Sequence, residues 1–313
     1  MELANKRTWQ LAAFWLVVGL VLVTDWLSAP LALSAGLVLG LTLGNPYPAQ
    51  LGKVTRYALQ ASVVGLGFGI NLYQVVETGL TGFLYTLVSL VVTLGFGFVL
   101  AKMLNVGDKL SALISAGTAI CGGSAIAAVA PAIRAGKEDI SVALGVVFIL
   151  NAVALFLFPI VGTQLGLSQA QFGVWAAIAI HDTSSVVGAA TLFGEEALKI
   201  ATTLKLTRAL WILPLVLLAG FVYKTAENKA AFPKFILFFL AASVISTFLP
   251  DVAGVYALLT KIAKKGLVLS LFFIGAGISL GLLRTISFRP FLQGVVLWIL
   301  VAAGSLAAVY YLI

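Results

Sequence analysis

The sequence predicts an all-α polytopic membrane protein, with about eleven transmembrane segments, inverted repeats and discontinuous helices. Three observations lead there. The 313 residues are 61% hydrophobic and only 10% charged, with a mean hydropathy of +1.12. The apolar residues gather into runs long enough to cross a bilayer. Two of those runs are interrupted, one by paired glycines and one by consecutive polar residues. An ordinary soluble domain is about half apolar and about a quarter charged. At about 20 residues per span, about eleven spans take about 220 residues and leave little beyond loops. The composition therefore excludes a soluble globular protein, a collagen, a coiled coil and a disordered chain. It predicts one integral membrane domain over 1–313.

The runs cover 9–24, 27–44, 54–72, 79–101, 110–135, 139–162, 172–193, 205–222, 234–249, 256–281 and 290–313. Asn45-Pro46-Tyr47-Pro48 turns the chain after the second. A count of about ten follows if one interrupted run is re-entrant. The first run follows Lys6 and Arg7, as in a signal peptide, but a second run follows at once. Asp25-Trp26-Leu27 also lacks the small residues of a cleavage site, so a retained first span is expected.

Nineteen Lys and Arg against eleven Asp and Glu give a net charge of +8. In a soluble protein that excess would suggest nucleic acid. Here the basic residues lie between apolar runs and read as orientation signals. Lys6, Arg7, Lys53, Arg56, Lys102 and Lys109 fall on one side by alternation, followed by Lys224, Lys229, Lys234, Arg284 and Arg289. Asp25 and Glu77 fall on the other. The expectation is an inner-membrane protein with a cytoplasmic N-terminus. Two groups fall on the opposite side, Arg134-Lys137-Glu138-Asp139 and Lys261-Lys264-Lys265. The first is balanced in charge, and the second belongs to a repeat. A lone cysteine forbids an intrachain disulfide. With one His and two Met, no metal site, haem or other cofactor is expected.

The repeat pairs LGKVTRYALQASVVGLGFGINL at 51–72 with LTKIAKKGLVLSLFFIGAGISL at 259–280, without gaps. Leu51/Leu259, Lys53/Lys261, Leu59/Leu267, Ser62/Ser270, Gly67/Gly275, Gly69/Gly277, Ile70/Ile278 and Leu72/Leu280 are identical. The likeness continues weakly, so the related segments are about 51–101 and 259–313. The copies are an odd number of spans apart and should run in opposite directions, as in transporters built from inverted repeats. A basic start that is inside in one copy is then outside in the other. The glycines of both copies suit close helix packing better than ligand contact.

The candidate chemistry lies in the interrupted runs. In Ser115-Ala116-Gly117-Thr118-Ala119-Ile120-Cys121-Gly122-Gly123-Ser124, adjacent glycines permit unwinding inside a span. Thr118 and Ser124 place hydroxyls on either side of them. A half-helix starting near Ser124 would present free backbone N–H groups and a positive dipole end, which suits an anion. The same small residues would also suit a packing face. In His181-Asp182-Thr183-Ser184-Ser185, five polar residues in an apolar segment need a cavity or one another. Asp182 with Ser185 three residues on has the spacing of an N-cap, so a second half-helix would begin near Thr183. His181 and Asp182 together could relay protons or pair at a membrane edge. Lys205 and Arg208 share a helical face, either as fixed charges facing the half-helix ends or as residues snorkelling to the interface. Asn151 lies mid-span with Pro159 after it and needs a hydrogen-bond partner.

The series FGINL, TAICGGSAIAA, LNAVALFLFP, AIHDTSSVVGAA and KLTRALWILP resembles the YeiH family, which is associated with sulfate export, over nearly the whole chain. More distantly, 67–159 resembles the superfamily of bile-acid/sodium symporters and cation–proton antiporters. That resemblance implies two crossing broken helices and a core bundle moving against a scaffold. Cys121-Gly122-Gly123-Ser124 would fall on the first broken helix and His181-Asp182-Thr183-Ser184-Ser185 on the second. One span lies between these segments, so two full crossings would run parallel. An inverted pair requires one of them to be re-entrant or another segment to intervene.

The expected function is a secondary transporter of a small anion, sulfate or a related sulfonate or carboxylate, with a candidate core bundle at about 79–222. Thr118, Cys121, Gly122, Gly123, Ser124, Asp182, Thr183, Ser184, Ser185, Lys205 and Arg208 are the expected substrate-binding residues. His181, Asp182 and Asn151 are the expected coupling residues. The expected partners are the anion, the bilayer, H+ or Na+ as coupling ion, and a second copy of the chain, with no nucleic acid. The alternatives are a cation-coupled transporter of a small organic acid, a passive channel, and an intramembrane enzyme using Cys121 or His181/Asp182.

Overall fold

The computed structural model describes residues 2–24, 26–48, 50–223, 234–278, 281 and 287–312. Asp25, Lys224, Lys229 and Arg284 of the orientation argument, and Ser279 and Leu280 of the repeat, lie outside the described residues. Those described are helical, and no strand occurs among them. In chain order the helices are α1 (Glu2–Val23), α2 (Ala29–Thr42), α3 (Leu51–Gly67), α4 (Leu72–Leu104), α5 (Asp108–Ala119), α6 (Gly123–Ala132) and α7 (Lys137–Gln164). Then come α8 (Gln169–Ala179), α9 (Thr183–Phe193), α10 (Glu195–Ala209), α11 (Ile212–Val222), α12 (Lys234–Phe248), α13 (Ala253–Gly277) and α14 (Phe288–Leu312). They form two compact units, Met1–Val75 with Lys234–Leu283, and Val76–Pro233 with Arg284–Ile313.

In the first unit α13 packs along both α2 and α3. The α2 contact is backbone against backbone. A Cβ on Gly275 would lie 2.7 Å from the Leu37 nitrogen, and one on Gly36 would lie 2.8 Å from the Ala276 nitrogen. Lipid is as apolar as leucine, so helices in a membrane gain from contact this close, and glycine permits it. Along α3, Gly65 faces Ala263, Ser62 faces Gly266 and Gly69 faces Thr260. Residue numbers rise on one helix as they fall on the other, so the two repeat copies pack antiparallel. Their identical serines do the same thing. Ser62 Oγ donates to Ala58 O at 2.7 Å, and Ser270 Oγ donates to Gly266 O at 2.8 Å.

Two bends shape this unit. The chain turns by 107° between α3 and the start of α4, and by 97° between α12 and the segment from Pro250 that includes α13. At the first bend Asn71 Oδ1 accepts from Tyr73 N at 2.8 Å. Helix α12 holds the same bend. Ser243 Oγ donates to Ile70 O at 2.6 Å, and Leu72 N donates to Thr247 Oγ1 at 2.9 Å.

The second unit contains Gly82–Leu104, Lys137–Gln164, Glu195–Val222 and Phe288–Tyr311, each long and apolar enough to cross a membrane. These are the four described helices that pass, and counting each bent pair of the first unit as one span raises the number to six. The expectation of about eleven came from counting apolar runs. Part of the difference lies in shorter apolar helices, Ala29–Thr42, Gly123–Ala132 and Thr183–Phe193, which are too short to cross alone.

The glycine contact between α2 and α13 makes a stability prediction. Gly275→Leu must push two backbones apart and should cost about 3 kcal/mol. Gly277→Ala, where nothing lies within 4 Å of the added carbon, should stay within about 0.5 kcal/mol of the parent. Thermal unfolding in detergent reads both, and equal stability of the two variants would contradict this packing.

Candidate functional site: two helix breaks joined by buried cations

The site lies in the second unit and begins with two interruptions. Helix α5 stops at Ala119, and α6 restarts at Gly123 with Gly122 as its N-cap. Gly122 has φ +61, a conformation that suits glycine. Helix α8 stops at Ala179, and α9 restarts at Thr183. The four pieces have 12, 10, 11 and 11 residues. At about 1.5 Å per residue each is about half as long as the hydrocarbon core is thick. The two breaks meet. A Cβ on Gly122 would lie 3.3 Å from the Asp182 Cβ and 3.5 Å from the Asp182 nitrogen.

Breaking a helix leaves its last carbonyls without partners, and a membrane interior supplies no water to replace them. Here nearly every one is accounted for by a side chain. Arg208 Nε donates to Ala119 O at 2.5 Å, and Nη2 donates to Thr118 O at 3.4 Å, covering the end of α5. Nη1 donates to Ile178 O, and to Ala177 O at 3.4 Å, covering the end of α8. Nη2 also reaches Ser89 Oγ at 3.3 Å. Lys205 Nζ donates to Ile180 O at 2.6 Å and Ala177 O at 3.2 Å. Trp298 Nε1 donates to Ala179 O at 3.0 Å. Arg208 has five N–H donors, and the five contacts use them all. Lys205 and Arg208, one turn apart on α10, are both 0% exposed. They therefore sit on the negative ends of α5 and α8, where a cation opposes the helix dipole favourably.

The N-terminal sides differ from each other. Asp182 caps α9, with Oδ1 accepting from Ser185 N at 2.7 Å and from Ser184 Oγ at 2.7 Å. Its Oδ2 accepts from Ser185 Oγ at 3.2 Å. Asn151 on α7 uses Oδ1 to accept from His181 N at 3.1 Å and Asp182 N at 3.2 Å. Two backbone donors fix which amide atom is the oxygen, so Nδ2 points away from them, and it has no protein partner. No side chain caps α6. Two helix N-termini therefore meet, one capped by a carboxylate and one not.

Each expected site residue has a definite place. Asn151, His181, Asp182, Thr183, Ser184, Ser185, Lys205 and Arg208 gather as buried groups on the break of α8–α9. Cys121 and Gly122 are buried at the other break, Gly123 is half-buried and Ser124 is exposed. Thr118 contributes its carbonyl rather than its hydroxyl, which donates back to Ile114 O at 2.9 Å. His181 does not pair with Asp182. Both ring nitrogens of His181 are without a partner, and its ring lies 6.4 Å from that of Trp298. Asp182 is unavailable because its carboxylate is occupied at the α9 cap. The sequence reading missed Ser89 and Trp298. A lone hydroxyl and a tryptophan in apolar spans carry no local sign that they face a broken helix.

The arrangement is that of a multi-pass helical membrane protein with discontinuous helices meeting in its interior. Residues 11–294 match the family described as "Conserved hypothetical protein 698". The chain belongs to this family, the YeiH family that its motifs resemble. It is 52% identical over 291 residues to a "UPF0324 membrane protein" of Porphyromonas gingivalis, covering 91% of this chain and 87% of the relative. It is 48% identical over 297 residues to one of Bacteroides thetaiotaomicron, covering 94% and 90%. A third, from Geobacter sulfurreducens, is 48% identical over 285 residues, covering 91% and 92%. No solved structure matches the chain.

The carbonyl accounting predicts that Arg208 holds the crossing together. Arg208→Gln leaves several buried carbonyls unpaired and should destabilise the fold by about 3 kcal/mol. Arg208→Lys retains the charge but loses the fork, so it should fall between Gln and the parent. Thermal unfolding orders the three proteins. A Gln variant as stable as the parent would remove Arg208 from this role.

Proposed function

We propose that this chain is a secondary transporter of a small anion, bound where the N-termini of α6 and α9 meet. One observation carries the reading: the meeting point is electropositive, and a buried amide beside it lacks an acceptor. Among the described residues the buried formal charges are Lys205, Arg208 and Asp182, two positive against one negative. The half positive charge of each helix N-terminus is matched by the half negative charge at the ends of α5 and α8, so the excess of one positive charge remains. Asn151 Nδ2 offers two further donors that no protein atom accepts. An oxyanion such as sulfate, a sulfonate or a carboxylate suits that set.

In this reading the expected site residues divide by role. Gly122, Gly123 and Ser124 present the uncapped end of α6, and Cys121 borders it. Asp182, Thr183, Ser184 and Ser185 build the α9 end. Lys205, Arg208 and the Thr118 carbonyl position the breaks, since all five Arg208 donors and two of the three on Lys205 are engaged with carbonyls or Ser89 Oγ. His181 is the residue proposed to couple transport to protons, because both of its ring nitrogens are buried without a protein partner. Transport would proceed by alternating access, with the bundle carrying the crossing as the moving part, in an inner membrane and with a cytoplasmic N-terminus.

Asn151→Asp separates binding from folding. The aspartate still accepts from the His181 and Asp182 nitrogens but replaces two donors with a negative oxygen. Calorimetry in sulfate-free buffer should show anion binding by the parent and at least a tenfold loss in the variant, about 1.4 kcal/mol or more. Unchanged affinity would move the site elsewhere, and a preference for cations or neutral ligands would overturn the anion assignment. In liposomes, His181→Gln should flatten the pH dependence of uptake. An unaltered profile would leave His181 as a packing partner of Trp298.

A further inference from the structure

A line of small polar residues leads away from the helix breaks along one face of α4. Ser89, Thr93 and Gly97 follow one another every four residues, so they share that face. Ser89 meets Arg208. Gly97 meets α5 and α14. Its carbonyl accepts from Ser111 Oγ at 3.4 Å and from Gln293 Nε2 at 3.2 Å, and Gln293 Nε2 also donates to Ser111 Oγ at 2.6 Å. Ser115, one turn beyond Ser111, lies directly against Gly97. A Cβ added to Gly97 would collide with Ser115 Oγ and lie 2.8 Å from Ser115 Cβ.

Helices α4 and α5 run antiparallel here. Arg208 joins Ser89 to Thr118, while Gly97 meets Ser111, so numbers rise on α4 as they fall on α5. The seam between α4, α5 and α14 therefore runs from the Arg208 crossing towards the connection between α4 and α5, where Lys102 and Lys109 are exposed.

The seam is shut, and its polar groups are not used up. Thr93, Ser111, Ser115 and Gln293 are all buried. Ser115 Oγ and Gln293 Oε1 have no hydrogen-bond partner. The Thr93 hydroxyl donates within its own helix, to Ser89 O at 2.5 Å. A clamp between helices would pair these groups with one another, because a buried polar atom left unpaired costs more than an apolar residue in its place. Polar residues inside a membrane instead mark surfaces that water reaches. A second conformation in which the seam is wet gives every one of them a partner.

We propose that the seam between α4, α5 and α14 is a gate on the anion's path, shut here and opened to water in the alternate transport conformation. Gln293 and Ser115 then take water on the atoms that closure leaves unpaired. Gly97 permits the closure, since any side chain there would hold Ser115 off α4. The gate rests on the transporter reading above, and in the orientation given there it opens to the cytoplasm.

Thiol labelling of the full chain in phosphatidylcholine nanodiscs tests it, with 2-sulfonatoethyl methanethiosulfonate, a water-soluble anion, as the probe. Thr93→Cys places a thiol on the seam, where the parent residue is 1% exposed. Val91→Cys places one two residues away on the outer face, where the parent residue is 60% exposed. The parent, whose one cysteine is Cys121, supplies the blank. The reactive species is the thiolate, which lipid suppresses and water supports, so Thr93→Cys should react about tenfold faster than Val91→Cys, the reverse of their exposures. Gly97→Ala added to Thr93→Cys should raise the rate, because the added carbon does not fit the shut seam. Gln293→Leu added to Thr93→Cys should lower it, because leucine favours the dry state, whereas loss of a mere clamp would raise it. Thr93→Cys labelled no faster than Val91→Cys overturns the proposal, and so does a rate that Gln293→Leu leaves unchanged or raises. Calorimetry with sulfate on the Thr93→Cys protein separates the gate from the reading beneath it. Sulfate binding without labelling overturns the gate and leaves the anion site standing. Labelling without sulfate binding keeps the gate and counts against sulfate as the anion.

Discussion

A hydrocarbon interior offers nothing to a broken backbone, and this structure depends on how that demand is met. Two helices stop and restart inside the second unit, and each stop exposes carbonyls that water cannot reach. The guanidinium of Arg208 joins the two stops, covering Thr118 and Ala119 on one side and Ala177 and Ile178 on the other. Lys205 and Trp298 cover what remains of the α8 end. A lysine at 208 could not do this, because only a planar fork of five donors serves two helix ends at once.

The same bonds determine the electrostatics. Cations spent on the negative helix ends neutralise those ends locally, and the positive ends stay directed at each other across Gly122 and Asp182. Asp182 offsets the α9 end as its cap. The α6 end has no such side chain, and Gly122 is what permits the approach. A carboxylate in the middle of an apolar segment is thus consistent with an anion site, since its charge is committed to backbone and serine donors of its own helix.

Local signals in the sequence carried a good part of this. The paired glycines at 122 and 123 mark the first break, and the Asp182–Ser185 spacing marks the start of α9 to the residue. The repeat was legible because Ser62 and Ser270 stand in one register, and they make the same backbone bond. Tertiary pairing was not legible. Helical spacing puts Lys205 and Arg208 on one face, but nothing local says that this face meets the C-terminal ends of α5 and α8. Adjacent in sequence, His181 and Asp182 invite a pairing that the α9 cap pre-empts. Asn151 asked for a partner, and only the fold shows that it supplies the acceptor for two backbone donors across the break. Runs of apolar residues also count spans differently from long helices, which is why α2 is a run in the sequence yet a short helix in the fold.

The most direct test of the account is an experimental structure determined with selenate, a sulfate analogue whose selenium scatters anomalously. The account predicts one strong anomalous peak at the N-terminus of α6, within hydrogen-bonding distance of Asn151 Nδ2, with Arg208 still bridging the ends of α5 and α8. A peak bonded to Arg208, with its guanidinium turned away from those carbonyls, would contradict it.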